Sequence, residues 1–107
     1  MTSMTNYQKQ ARQTAKTHII GDTNYLGLKL AEEAGEVAGK LGKAIRDHTT
    51  LPELKPQIIK ELGDVLWYVA MLADAFGVDL ETIATVNVEK LQDRHERGVI
   101  GGSGDDR

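Results

Sequence analysis

Both prolines of this chain, Pro52 and Pro56, lie one helical turn apart near its middle, and there are no others. Proline breaks helices, so the sequence permits long helices on either side of a single interruption. We read four helices from the apolar periodicity. The first spans roughly Thr5 to His18. Gly21-Asp22-Thr23-Asn24 interrupts the pattern, with Asp22 or Thr23 as N-cap of a second helix reaching about His48. Thr50-Leu51-Pro52-Glu53 has the spacing of a capping box, and Pro56, poor deeper in a helix, is a candidate for the proper start of the third. Gly77 suits its C-terminal cap. Asp79 can cap a fourth helix ending near Gly98, and the glycine-rich tail from Gly98 to Arg107 reads as loop. No strand-like alternation of useful length appears. The expected fold is all-α, a four-helix bundle, in one domain covering residues 1–107.

The second and third helices carry the same layout. With Glu33 at the origin, Val37, Leu30, Leu41 and Ala34 fall between about 40° and about 100° around the helix. Glu36 falls near about −60°, and Lys29 and Lys40 lie within about 40° of Glu33. With Glu61 at the origin, Leu72, Val65, Ile58, Phe76, Val69 and Leu62 fall between about 20° and about 100°, and Asp64 near about −60°. Each helix has an apolar stripe, an acid at its border and a second acid three residues on. If the stripes pack together, four carboxylates converge on one margin of the core. Like charges at that spacing repel, and partial burial adds to the cost. Hard divalent cations with oxygen preference are the natural compensation. The competing reading is that these acids are merely the solvated flank of an amphipathic stripe, and the geometry alone leaves the two level.

Composition narrows the function class. Hydrophobic residues make up 40% and charged residues 27%, with a net charge of −3 and no cysteine. Disulfides and thiolate metal sites are excluded, and the basic footprint of a nucleic-acid binder is missing. No apolar run approaches the roughly 18 residues of a membrane span. Met1 to Lys16 is polar and lacks the apolar core of a signal peptide. A cytoplasmic protein without nucleic-acid or membrane partners is the expectation. A chain of 107 residues buries a modest fraction of its surface alone, so association is expected.

The acids stand in order as Glu32-Glu33-Ala34-Gly35-Glu36 and Glu61-Leu62-Gly63-Asp64, followed by Asn87-Val88-Glu89-Lys90-Leu91-Gln92-Asp93-Arg94 and the ending Arg97 to Arg107. This pattern resembles the all-α nucleotide pyrophosphohydrolases of the MazG type, over about residues 25 to 107. The resemblance implies Mg²⁺-dependent hydrolysis of a nucleoside triphosphate, with a dNTP favoured, to the monophosphate and pyrophosphate. It implies two or more Mg²⁺ ions, with Mn²⁺ as a substitute, on Glu33, Glu36, Glu61 and Asp64. Glu32 and Glu33 would take the catalytic part, supporting the metal or activating water. Asn87, Lys90 and Arg94 would meet the phosphates, with Lys40 on the acidic edge beside them. It also implies homo-oligomers, dimers or tetramers. Similar folds serve phosphoribosyl-ATP pyrophosphohydrolases, and the acidic pattern does not separate these substrates.

Other residues carry weaker expectations. Lys90 and Arg94 share one helix face; without the acids upstream they would read as a basic last turn complementing the macrodipole. His18, His48 and His95 fall near helix ends and read as capping or exposed residues. Trp67, Tyr68 and Met71 lie on the acid-bearing side of the third helix, and a subunit interface is favoured over a base-stacking pocket. Tyr25 and Leu26 are candidates to touch a nucleobase. In the tail, consecutive glycines can form an anion-binding nest, and we expect it to fold over the site with Ser103, Gly104 or Arg107 near the nucleotide. A non-catalytic helical oligomerisation or metal-binding module is the alternative from another class.

Overall fold

A computed structural model describes residues 1–107. Four α-helices are present: α1 (Met4–Thr14), α2 (Thr23–Asp47), α3 (Leu51–Ala75) and α4 (Leu80–Glu96), with a single 3-10 turn at Thr17–Ile19 between α1 and α2. Each helix start has a side-chain cap. Ser3, Asp22, Thr50 and Asp79 accept from the backbone N–H groups of Asn6, Tyr25, Glu53 and Thr82. These bonds satisfy donors that have no intrahelical partner.

Two boundaries differ from the sequence expectation. The first helix stops at Thr14, because Ala15 is extended, and its last expected turn becomes the separate 3-10 turn. The third helix does not wait for Pro56. It starts at Leu51 under a complete capping box between Thr50 and Glu53, and Pro56 lies inside it. Pro52 sits in the first turn, where its missing donor costs nothing. Pro56 forfeits one intrahelical bond close to the start of a 25-residue helix. Helix α3 ends at Ala75 with Phe76 as its C-cap, followed by Gly77 at φ 71°, the left-handed position that glycine fills without strain. His48 ends α2 in the same left-handed region at φ 56°, so its role at this end is a backbone cap.

Packing is organised around α3. The most extensive contact is between α2 and α3, and α1 lies across α3 and touches α4. The buried core is Ala11, Leu26, Ala70, Met71, Ala73 and Leu80, with Tyr7, Ala15, Ile20, Trp67, Tyr68 and Val69 packed against it. The expectation of a subunit interface is corrected for Met71, which is buried within the protomer. Trp67 is bonded to Thr14 of α1, and Trp67 and Tyr68 stay half-buried at the edge of the core. Leu26 is likewise fully buried in this core and cannot reach a nucleobase. Gln8 of α1 ties the layers together, donating to the Val78 carbonyl at 3.0 Å and accepting from the Leu80 N–H at 3.0 Å.

The apolar stripe of α3 is covered only in part. Ile59, Leu62 and Phe76 are 59%, 51% and 72% exposed. The radius of gyration is 16.5 Å, against about 13 Å for a compact chain of this length. Helix α4 contributes to this open shape, since it makes few contacts with α3. No helix is long and apolar enough to cross a membrane.

Candidate metal centre

The helical period places the acids of α2 and α3 at the junction of two seams. On α3, Glu61 and Tyr68 share the face toward α2, where Tyr68 lies by Tyr25, Lys29 and Glu33, while Trp67 turns to Thr14 of α1. The result is that one carboxylate oxygen from each of Glu33, Glu61 and Asp64 lies within 4.8 Å of the others. The i, i+3 spacing of Glu61 and Asp64 sets both on one face of α3, and Glu33 meets them from α2.

The environment of these oxygens is uneven. Glu61 has a side chain only 15% exposed; its Oε1 lies 3.7 Å from Lys40 Nζ. Its Oε2 is buried with no hydrogen-bond partner. A buried carboxylate oxygen left in that state is costly. Glu33 is pushed above the ordinary carboxyl range, first by desolvation, then by the charges of Asp64 and Glu36, with Lys29 opposing and Glu61 adding to the shift. Three carboxylates, one of which carries a buried oxygen without a partner, with surplus negative charge, fit a hard divalent cation. This is a candidate divalent-cation site.

Around the acids, a depression is lined by Thr14, Glu33, Asp64, Trp67 and Tyr68. The Trp67 and Tyr68 rings meet edge to face, with centroids 4.9 Å apart. Trp67 Nε1 donates to Thr14 Oγ1 at 2.9 Å, fixing the indole against α1. The Tyr7 hydroxyl is raised in pKa by burial and by the charge of Asp64, and that of Tyr68 by burial and by Tyr25. Tyr7 and Thr14 are absent from the sequence-based site. The only signal for them was membership of a first helix whose docking the sequence does not specify.

The pattern of the MazG nucleotide pyrophosphohydrolase domain matches residues 22–99. The chain belongs to the MazG nucleotide pyrophosphohydrolase family. It is 43% identical over 109 aligned positions to the Gene 37 protein of Mycobacterium phage L5, covering 94% of this chain and 96% of that one. It is 39% identical over 74 positions to the uncharacterized protein YvdC of Bacillus subtilis (strain 168), covering 63% of this chain and 70% of that one. No solved structure matches. Membership places the chain among nucleotide-hydrolysing MazG enzymes, and the acids of the centre all lie inside the matched segment.

The remaining sequence candidates are distributed as follows. Glu36 is exposed and outside the three-oxygen group, although its charge reaches Glu33. Glu32 lies outside the group and pairs with Lys29 at 2.9 Å. Lys40, expected beside the substrate, is engaged with Glu61. Asn87 is exposed on α4. Lys90 and Arg94 are paired with the tail, through Asp105 at 3.2 and 3.5 Å. Ser103 and Gly104 lie exposed in that tail, and Arg107 closes it by donating to the Val99 carbonyl at 3.2 Å. The tail lies folded against the end of α4; it makes no hydrogen bond or ion pair with the acids of α2 and α3.

Proposed function

We propose that this MazG protein hydrolyses a nucleoside triphosphate, with a dNTP as the favoured class, to the monophosphate and pyrophosphate. The observation that carries this is the unpartnered, buried Oε2 of Glu61 inside a group of three carboxylates. Mg²⁺ bound there, two or more ions with Mn²⁺ as a substitute, would polarise the phosphate and acidify a water. Glu61 and Asp64 would hold the cation from α3, and Glu33 would hold it from α2. Glu36 adds negative charge at the rim and a further ligand if its side chain swings inward. Glu33, at the α2 edge of the group, or Glu32 beside it would orient and deprotonate the attacking water. Glu32 acts from outside this group by holding Lys29 in place.

The walls of the depression suit the rest of the substrate. Trp67 and Tyr68 offer aromatic surface beside the acids, and aromatic rings stack on bases of any identity. Lys90 and Arg94 supply the cationic surface that would neutralise the leaving pyrophosphate, with Asn87 on the same helix face. Lys40 offsets charge at Glu61 until metal and phosphate arrive.

In this reading the working enzyme is a homo-oligomer. Its support is the open protomer. Leu28 and Ile45 on the outer face of α2 are 74% and 79% exposed. Gly35, Gly39 and Gly42 follow the same face with nothing within 4 Å of an added Cβ. Glycine inside a helix costs about 1 kcal/mol against alanine, and here no contact within the protomer offsets that cost.

The decisive experiment is a screen of standard and modified ribo- and deoxynucleoside triphosphates with Mg²⁺, following pyrophosphate release. Turnover that disappears in EDTA and in Glu61→Gln supports the reading. Absence of pyrophosphate release across the whole panel, from protein that binds Mn²⁺, overturns it.

A further inference from the structure

The glycine-rich end of the chain is built as a strap over the basic face of α4. Gly98 takes φ 73°, and the Val99 N–H returns to the Arg94 carbonyl at 2.9 Å. This left-handed termination reverses the chain and sends the tail back along the helix. Arg94, with a side chain 5% exposed, then donates from Nη2 to the carbonyls of Gly104 and Asp105, at 3.3 and 2.7 Å. Arg97 holds the Arg107 carbonyl at 2.6 Å. The Arg107 guanidinium crosses the loop to the Ile100 carbonyl at 3.1 Å. A Cβ at Gly102 would stand 2.6 Å from Arg107 Cδ, so glycine there leaves room for the crossing.

One charged group sits at the centre of this strap. Asp105 Oδ1 is 3.2 Å from Lys90 Nζ and 3.5 Å from Arg94 Nη2. One carboxylate oxygen between an ammonium and a guanidinium is the arrangement a phosphate oxygen would adopt. The strap serves the cations incompletely. Arg94 Nε is buried without a partner, and carbonyl oxygens carry only partial charge against its full one. The Asp105 side chain is 85% exposed, and ion pairs that exposed hold weakly. A multiply charged oxyanion with several acceptors would compete well against it.

We propose that Asp105 is a built-in occupant of the Lys90–Arg94 oxyanion site, and that a pyrophosphate-bearing ligand must displace the tail to bind there. The proposal rests on the reading of Lys90 and Arg94 as the phosphate face. It adds a regulatory element: residues 99–107 gate that face, and the enzyme keeps its cations neutralised until a polyphosphate arrives. Both pKa direction and geometry agree, since Lys90 and then Arg94 hold the Asp105 carboxyl below its ordinary range.

The test uses the full chain and inorganic pyrophosphate in EDTA, so that metal at the acidic centre does not contribute. Calorimetry on the wild type, Asp105→Asn and Lys90→Met is paired with hydrogen exchange of residues 99–107. The expected result is binding about two- to fivefold tighter in Asp105→Asn, as loss of one exposed competitor allows. Binding weakens in Lys90→Met, and pyrophosphate speeds exchange in the wild-type tail. Equal affinity of wild type and Asp105→Asn, with Lys90→Met weakened, overturns the gate and leaves the phosphate face standing. So does a tail that becomes more protected on binding, which would make it a lid. Unchanged affinity in Lys90→Met, or no binding by any variant, removes the phosphate face and the gate with it.

Discussion

Lys40 Nζ stands 3.7 Å from Oε1 of Glu61, while the second oxygen of that carboxylate, Oε2, is buried without any partner. The lysine thus offsets part of the charge of a carboxylate that is grouped with two further acids. We expect Lys40→Met to lower metal-free stability by about 1 kcal/mol or less, since the lysine is partly exposed. The same change should tighten Mn²⁺ binding severalfold, because a cation that competes for Glu61 is gone. Thermal melts in EDTA and a Mn²⁺ titration followed by paramagnetic resonance read the two effects. Weaker Mn²⁺ binding in the variant would show that Lys40 assists the metal.

Replacing Glu61 by Gln removes charge at nearly constant volume. Turnover should fall at least about a hundredfold, the order seen when a group stabilising transition-state charge is lost. The melting temperature in EDTA should rise, because repulsion among the acids is relieved. Retained turnover would dismiss Glu61 as a metal ligand. Glu36→Gln is also expected to abolish turnover if its side chain joins the metal; near-wild-type rates would restrict the ligand set to Glu33, Glu61 and Asp64.

The raised pKa of Glu33 has a defined sign in stability. A carboxyl whose folded pKa exceeds its ordinary value of 4.5 favours folding while protonated. That contribution is present below the unfolded value and is lost as pH rises through the folded value. Metal-free protein should therefore lose stability over this acidic window, and Mg²⁺ should restore it once Glu33 is ionised. Scanning fluorimetry with and without Mg²⁺, from about pH 4 to about pH 8, should show a metal-induced gain that grows with pH. A gain independent of pH would detach Glu33 from the metal.

Thr14→Val takes away the acceptor for the Trp67 indole. The lost bond is worth about 1 kcal/mol, and a loosened aromatic wall should raise KM for the triphosphate roughly threefold. The value of kcat should change less. Steady-state kinetics showing KM unaltered would mean that the indole packs the core without meeting substrate.

Assembly is checked by light scattering, with a dimer or tetramer of the 11.7 kDa chain expected at micromolar concentration. Leu28→Glu introduces charge at a position already 74% exposed in the protomer. It should leave a single protomer intact and dissociate an assembly held by the outer face of α2. A wild-type monomer would contradict the oligomeric reading outright.

The acidic centre was legible in the sequence because helical period alone fixes which side of α2 and α3 each acid occupies. Glu33, Glu61 and Asp64 needed only that the two helices pack together. The status of Trp67 and Met71 was not legible, since their packing depends on α1 and the residue after it, and Tyr7, Ala11 and Ala15 form no strong apolar signal. Pro56 misled for a local reason: a capping box one turn earlier outweighs a single lost hydrogen bond. The tail was readable as loop and as glycine-rich. Its closure on Arg94 was hidden, because it depends on where Gly98 reverses the chain.

The amide of Gln8 bridges α1 to the turn between α3 and α4, with one hydrogen bond in each direction. Gln8 and the rest of α1 precede residue 22, where the family match begins. A chain begun at residue 22 would keep every acid of the centre, yet it would bare Met71 and Trp67 and unclasp the hinge on which α4 is carried. The family match and the packed core thus have different edges in this protein, since α1 ahead of residue 22 supplies Ala11 to the core and Gln8 to the turn before α4.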